Sequence, residues 1–166
     1  RVVEAVAALD RGGRFLHEKI LTDGLLSFTG SHEQLTALLL ERLDSFSVTT
    51  KLSVLNYVRF RSGDYGERMM EILSDPAEDK ELHLAAIRYF GRYPSNQARP
   101  ILLSYAADKD PASWEYASVA VSSLAGYQGG DVQDALTKAI YSSNWYVRSN
   151  AAASLARQGL DYSDLI

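Results

Sequence analysis

The chain has no cysteine among its 166 residues. That excludes a disulfide framework, thiolate metal sites and a cysteine nucleophile. Proline is scarce, at four residues, and no apolar run reaches the ~18 residues of a membrane span. No signal peptide is visible. Neither sign of charge dominates: 17 Lys and Arg stand against 21 Asp and Glu, a net charge of −4. A pI near 5.4 argues against a generally basic nucleic-acid binder. Nucleotide-binding motifs of the Gly-x-Gly-x-x-Gly or Gly-Lys-Ser/Thr kind do not occur. The serine pairs Ser122-Ser123 and Ser142-Ser143 lack a histidine at any repeat-equivalent position, so hydrolase chemistry has no support. Strand signals are missing too, with no sustained period-two alternation.

What is present is helical periodicity. Apolar residues recur at three- and four-residue spacing in blocks broken by Pro94 and Gly129-Gly130. Leu35, Leu38, Leu39 and Leu43 form one stripe; Leu82, Ala86 and Phe90 form another, and Val147, Ala151 and Leu155 a third. The pattern predicts an all-α fold in which 46% apolar content builds a core without staples.

Self-comparison sharpens this reading. Segment 114–125 aligns without gaps on segment 145–156, placing Trp114 on Trp145, Ala120 on Ala151 and Leu124 on Leu155. Segment 80–91 aligns with them in turn, with Ala86 under Ala120, and segment 48–59 follows, with Val54 under Ala86. A weaker copy around 14–25 puts Ile20 near the place of Val54. Ser47, Asp79, Ser113 and Asn144 precede the four clear copies, and all are N-cap residue types whose side chains accept from first-turn amides. Between the copies lie further helical blocks, 2–9, 33–43, 66–73, 99–107 and 132–141, and Ser31 with Gln34 makes a capping box. About five hairpins of roughly 33 residues follow, each needing its neighbours to bury its apolar face. The chain starts at Arg1 and stops inside an apolar pattern, so residues 1–166 are expected to be one repeat domain of a longer protein. Leu165 and Ile166 are expected to open its next helix.

The stretch Asn144-Trp-Tyr-Val-Arg-Ser-Asn-Ala-Ala-Ala-Ser-Leu-Ala-Arg-Gln-Gly159 resembles the second helix of a HEAT-like repeat: polar cap, Val-Arg, Ala-rich turn, Leu and closing Gly. The equivalents of Val147-Arg148 in earlier copies are Tyr116-Ala117, Leu82-His83 and Thr50-Lys51, which match progressively less. The resemblance implies a right-handed α-α superhelix with second helices on the concave side, and Arg148 as a structural arginine bonding within the array. It implies no single activity.

Three histidines are available for metal chemistry. His17-Glu18 and His32-Glu33 resemble the His-Glu pairs of HEAT-repeat deoxyhypusine hydroxylases, but they are too close in sequence to be repeat equivalents and fall on different kinds of helix. His83 precedes Leu84 and forms no such pair. All three are expected to be surface histidines, with no metal and no cofactor.

Trp114 and Trp145 open adjacent second helices and should stack along one rim. Either they form an aromatic ledge, or they wedge into the junction between repeats, which we favour because Trp is usually well buried. Residues 111–166 carry three basic and five acidic side chains, yet hold Trp114, Tyr116, Tyr127, Tyr141, Trp145, Tyr146 and Tyr162. An aromatic-rich, charge-poor segment is either interface or core. Asn56, Arg88, Ser122 and Ala153 would line a mixed polar strip on the concave side.

The expectation is a non-catalytic scaffold that binds a protein or peptide on its concave face through Trp114, Glu115, Tyr146, Arg88 and Asn56. It would be cytoplasmic, with no membrane contact from this segment. The competing reading is a nucleic-acid or base-repair module like the HEAT-like alkylpurine DNA glycosylases, or an enzyme like the phycobilin lyases. The negative balance of residues 111–166 opposes phosphate binding.

Overall fold

A computed structural model describes residues 1–12 and 18–159. The expectations for His17, Tyr162, Leu165 and Ile166 lie outside the described residues. Among the described residues there are α-helices and short 3-10 turns but no strand. The helices are α1 Val2–Arg11, α2 Glu18–Leu26, α3 His32–Glu41, α4 Val48–Arg61, α5 Gly66–Ser74, α6 Lys80–Arg92, α7 Arg99–Ala107, α8 Trp114–Ser123, α9 Gly130–Ala139 and α10 Trp145–Arg157. They group into two units, Arg1–Ala85 and Ala86–Ile166.

The four clear copies each begin a helix immediately after the expected cap, at Val48, Lys80, Trp114 and Trp145. Burial follows the same register. Val54, Ala86, Ala120 and Ala151, which superpose in the self-comparison, are all fully buried, as are Val58, Phe90, Leu124 and Leu155 to within 1%. The small residue at the first of these positions in the last three copies lets helix backbones approach closely.

Two of the four expected caps form and two do not. Asn144 Oδ1 accepts from the amides of Tyr146 (2.9 Å) and Val147 (3.2 Å), and Asp79 Oδ1 accepts from Glu81 N (2.9 Å). Ser31 likewise accepts from Gln34 N at 3.3 Å. Ser47 and Ser113 make no side-chain cap. Before α8 the chain takes a 3-10 turn over Pro111–Ser113, and Asp110 accepts from Ala112 N instead.

At α4 another helix holds the N-cap residue and the first turn in place. Asp10, on α1, accepts from Ser47 N (3.0 Å), Ser47 Oγ (2.5 Å) and Thr50 Oγ1 (2.5 Å). Burial pushes the Asp10 carboxyl up, but the bonds from Ser47 and Thr50 outweigh it and hold its pKa below the ordinary carboxylate value. Asp10→Ala is expected to lower unfolding free energy by about 1–2 kcal/mol, read from urea midpoints. Because the folded pKa is depressed, this contribution is present above the unfolded carboxylate pKa and disappears as pH falls through the folded one. The gap between parent and variant should therefore close in acid.

In the first unit α1 packs on α3, and α4 packs on both α2 and α3. Two expected core positions face outward. Leu35, Leu39 and Leu43 are buried, but Leu38 is 49% exposed; one residue of α-helix turns about 100°, which carries Leu38 off the line of Leu35 and Leu39. Ile20 is 70% exposed, whereas Leu21 and Leu25 are buried. The weak copy is therefore set one position later, with Leu21 and Leu25 matching Val54 and Val58. Thr22 Oγ1, donating to Ser53 O at 3.3 Å, fixes that pairing of α2 with α4.

In the second unit α7 and α8 form one hairpin and α9 and α10 another; α7 packs on α9, and α8 on α10. Side chains of α10 and the residue after it donate to carbonyls of α8 and its exit turn. Asn150 Nδ2 reaches Ser118 O (3.1 Å), Ser154 Oγ reaches Val121 O (2.9 Å), and Gln158 Nε2 reaches Tyr127 O (2.7 Å). The separations, 32, 33 and 31 residues, are those of the sequence repeat. No helix among the described residues is long and apolar enough to cross a membrane.

Candidate functional site

The two hairpins of the second unit enclose a cleft of about 860 Å³. Its walls are the turns that join first to second helices: Asp108 to Pro111 between α7 and α8, and Tyr141 to Asn144 between α9 and α10. Its apolar floor is made of Ala106, Ala107, Ala117, Ala135 and Ala139 with Val147. Side chains this short leave space where larger ones would fill the gap between the helix ends.

Both walls are held by local hydrogen bonds. Asp108 Oδ1 accepts from Asp110 N at 2.9 Å, and Asp110 Oδ1 from Ala112 N at 2.9 Å. Across the cleft Ser142 Oγ accepts from Asn144 N at 3.1 Å. Arg148 Nη1 donates to Ser142 O (2.9 Å) and Ser143 O (3.0 Å), the structural role expected for it. Carbonyls of the turn between α9 and α10 are thereby satisfied by the second helix of the same hairpin. Ionisable lining groups balance, Lys109 and Lys138 against Asp108 and Asp110.

An aromatic group continues from the cleft along α8 and α10. Trp114 lines the cleft and stacks on Tyr146, with ring centroids 5.2 Å apart and planes at 24°. Tyr146 meets Trp145 edge to face, at 5.1 Å and 80°. Trp145 is 62% exposed and Tyr146 54%, and Tyr141 on the cleft wall is 67% exposed. Trp145 is therefore not wedged into a junction, and Trp114 is only half-buried. The stack also runs differently from expectation: Trp114 pairs with Tyr146. Tyr146 follows Trp145 on α10, and that step around the helix brings Tyr146, with Trp145 turned aside, over the neighbouring α8.

The structure thus joins two of the five expected contacts, Trp114 and Tyr146. Glu115 follows Trp114 on α8 and is half-buried, and Arg88 is exposed on α6. Asn56 is half-buried on α4, in the first unit. Of the other aromatics, Tyr127 is core at 3% exposure and Tyr116 stacks on Tyr105 at 4.9 Å. Ser122 and Ala153 are exposed. The cleft walls escape sequence reasoning, although small residues at 106–107, 117, 135 and 139 around two equivalent hairpin turns are a usable signal.

The described histidines are not surface residues. His83 is buried, with Nε2 2.7 Å from Asp75 O. His32 is half-buried, its Nε2 2.7 Å from Phe28 O and its Nδ1 2.6 Å from the hydroxyl of fully buried Tyr57. A carbonyl only accepts, so in the neutral ring Nε2 carries the hydrogen and Nδ1 accepts from Tyr57. Both histidines are occupied in packing helix ends. Among the described residues no three His, Cys, Asp or Glu side chains form a group able to hold a metal ion.

Comparison with known proteins finds no family model, no curated protein and no solved structure that matches the chain.

Proposed function

We propose that the chain is a non-catalytic interaction scaffold, a right-handed superhelix of HEAT-like hairpins that holds a protein or peptide partner. On the second unit the contact region centres on Trp114 and Tyr146, with Glu115 and Arg88 as further contacts. On the first unit Asn56 is the contact we assign. One observation carries the reading: a cleft of about 860 Å³ is lined by Trp114, on which the exposed ring of Tyr146 stacks, with the exposed Trp145 edge to face beside it. Aromatic rings supply large contact area at small entropic cost and dominate binding hot spots. The volume falls within the range of concave ligand sites.

The test is selection of binders from a displayed peptide library on the immobilised chain, followed by titration of purified peptides. Tyr146→Ala is expected to weaken selected peptides by about tenfold or more, with helical circular dichroism unchanged. Peptides that bind the parent and the Tyr146→Ala and Trp114→Ala variants equally well would sink the assignment.

A further inference from the structure

We propose that this cleft takes an arginine side chain of the partner; the inference rests on the reading of the region as a peptide site and names the group that enters it. Lys51, His83, Ala117 and Arg148 fall at one position of the second helix in the repeat register. Where that residue is His83 or Arg148, its side chain donates to the turn that leads into its own helix. His83 Nε2 reaches Asp75 O at 2.7 Å, and Arg148 Nη1 reaches Ser142 O and Ser143 O at 2.9 and 3.0 Å. Lys51 also keeps a cation at this position, 4.0 Å from Glu78. Ala117 has no donor to offer, and it lines the cleft together with the turn Asp108 to Pro111.

The acceptors left over are at the end of α7. A helix leaves its last carbonyls without amides of its own, and its C-terminus carries the negative end of the helix dipole. After α7 the usual replacements are missing. Ala107 O stands one helical turn before Pro111, which has no N–H. Ala106 O stands one turn before Asp110, whose amide is given to Asp108 Oδ1 at 2.9 Å. Among the described residues no other backbone amide takes their place. Both alanines line the cleft, as do Asp108 and Asp110, whose Oδ1 atoms hold the turn and leave Oδ2 as an acceptor.

The opposite wall is already supplied: Ser142 O and Ser143 O accept from Arg148, and Asn144 Oδ1 accepts from Tyr146 and Val147. Acceptors in need of a donor thus gather on one wall, and they select the occupant where the even count of lining charges does not. A guanidinium carries five N–H donors in a flat fork, enough for carbonyls and a carboxylate at once. Arg99 makes the same combination within this chain, donating to Gln128 O and to both oxygens of Asp131. The alanine floor and Trp114 give the arginine stem apolar surface to lie on. Lys109 and Lys138 also line the cleft, but both are exposed and their flexible stems carry the ammonium groups to solvent.

Trp114 lines the cleft and is one of the chain's two tryptophans, so intrinsic emission reports on occupancy. The chain would be titrated with four acetylated, amidated pentapeptides, Ala-Ala-X-Ala-Ala, in which X is arginine, lysine, glutamine or glutamate. The arginine peptide is expected to change the emission saturably, the lysine peptide to bind more weakly, and the other two to leave it unchanged. Asp110→Asn keeps the oxygen that holds the turn and removes the charge; it is expected to weaken the arginine peptide by about tenfold. Ala117→Arg supplies the missing donor from within the chain and is expected to abolish the titration with helical circular dichroism unchanged; if it does not fold, Asp110→Asn decides. Lysine or glutamine binding as tightly as arginine overturns the inference and leaves the peptide-site reading standing. Arginine binding that Asp110→Asn does not weaken, or that a folded Ala117→Arg retains, does the same. So does silence toward all four peptides when the displayed library yields binders that Tyr146→Ala weakens. Silence toward all four with no binder from the library overturns both readings.

Discussion

Tyr127→Ala is expected to cost about 4 kcal/mol of unfolding free energy, and Tyr127→Phe about 2 kcal/mol. The reason is the end of α6. That helix stops at Arg92, and Phe90 O would normally accept from the amide one helical turn on. Residue 94 is proline and has no N–H to give. The Tyr127 hydroxyl fills the gap: it donates to Phe90 O at 2.9 Å and accepts from Ser95 N at 3.1 Å. One hydroxyl thus satisfies two backbone groups that Pro94 leaves without helical partners. Its ring is 3% exposed, so alanine adds a cavity to the two lost bonds.

Close backbone approach makes this repair reachable. A Cβ on Gly91 would stand 2.9 Å from Ser123 Cβ, and one on Gly126 would stand 2.9 Å from Gly91 O. Burial also pushes the Tyr127 phenol up, beyond what the Ser95 amide and Arg99 offset. A raised folded pKa means that the contribution is complete below the ordinary tyrosine value and fades as pH rises through the folded one. Parent and Tyr127→Phe should therefore converge in strong alkali. Denaturant midpoints at neutral pH provide the main check, and a phenylalanine variant as stable as the parent would show that water serves both backbone groups equally well.

The helical class and repeat register are legible because they rest on local rules. A cap residue, an apolar stripe and the recurrence of both at one hairpin's length are all visible in the string. Val54, Ala86, Ala120 and Ala151 are equally buried, as that register requires. What escapes the string depends on partners distant along it. Ser47 has the right chemistry for a cap, but its hydroxyl and amide are turned to Asp10, 37 residues earlier. His32 reads as a surface residue until Tyr57 and Phe28 are placed around it. The site is half legible. Trp114 and Tyr146 stand out by type, and their stacking depends on a helix pairing that the repeat itself specifies. The cleft is not legible, because it is made by the absence of side-chain volume, and alanine gives no chemical signal.

Trp114→Ala is expected to weaken any ligand of the cleft by about thirtyfold or more, the loss of roughly 2 kcal/mol or above that marks a hot spot. The argument is that Trp114 acts twice. It lines the cleft and supports Tyr146, whose ring lies on it at 5.2 Å. Removing the indole opens the cleft wall and also frees Tyr146 to leave the geometry that places it against Trp145. Tyr146→Ala removes the supported ring but leaves the wall, so its effect should be smaller. Trp114→Phe keeps a ring for Tyr146 to stack on and should recover part of the loss, which a mere loss of apolar area would not predict. Stability should change less than affinity, because the indole is half-buried and its neighbours Ala117 and Val147 remain packed. Titration by calorimetry, with thermal midpoints measured in parallel, separates the two effects. A ranking in which Tyr146→Ala is the more damaging would show that the exposed ring binds without help from the one beneath it.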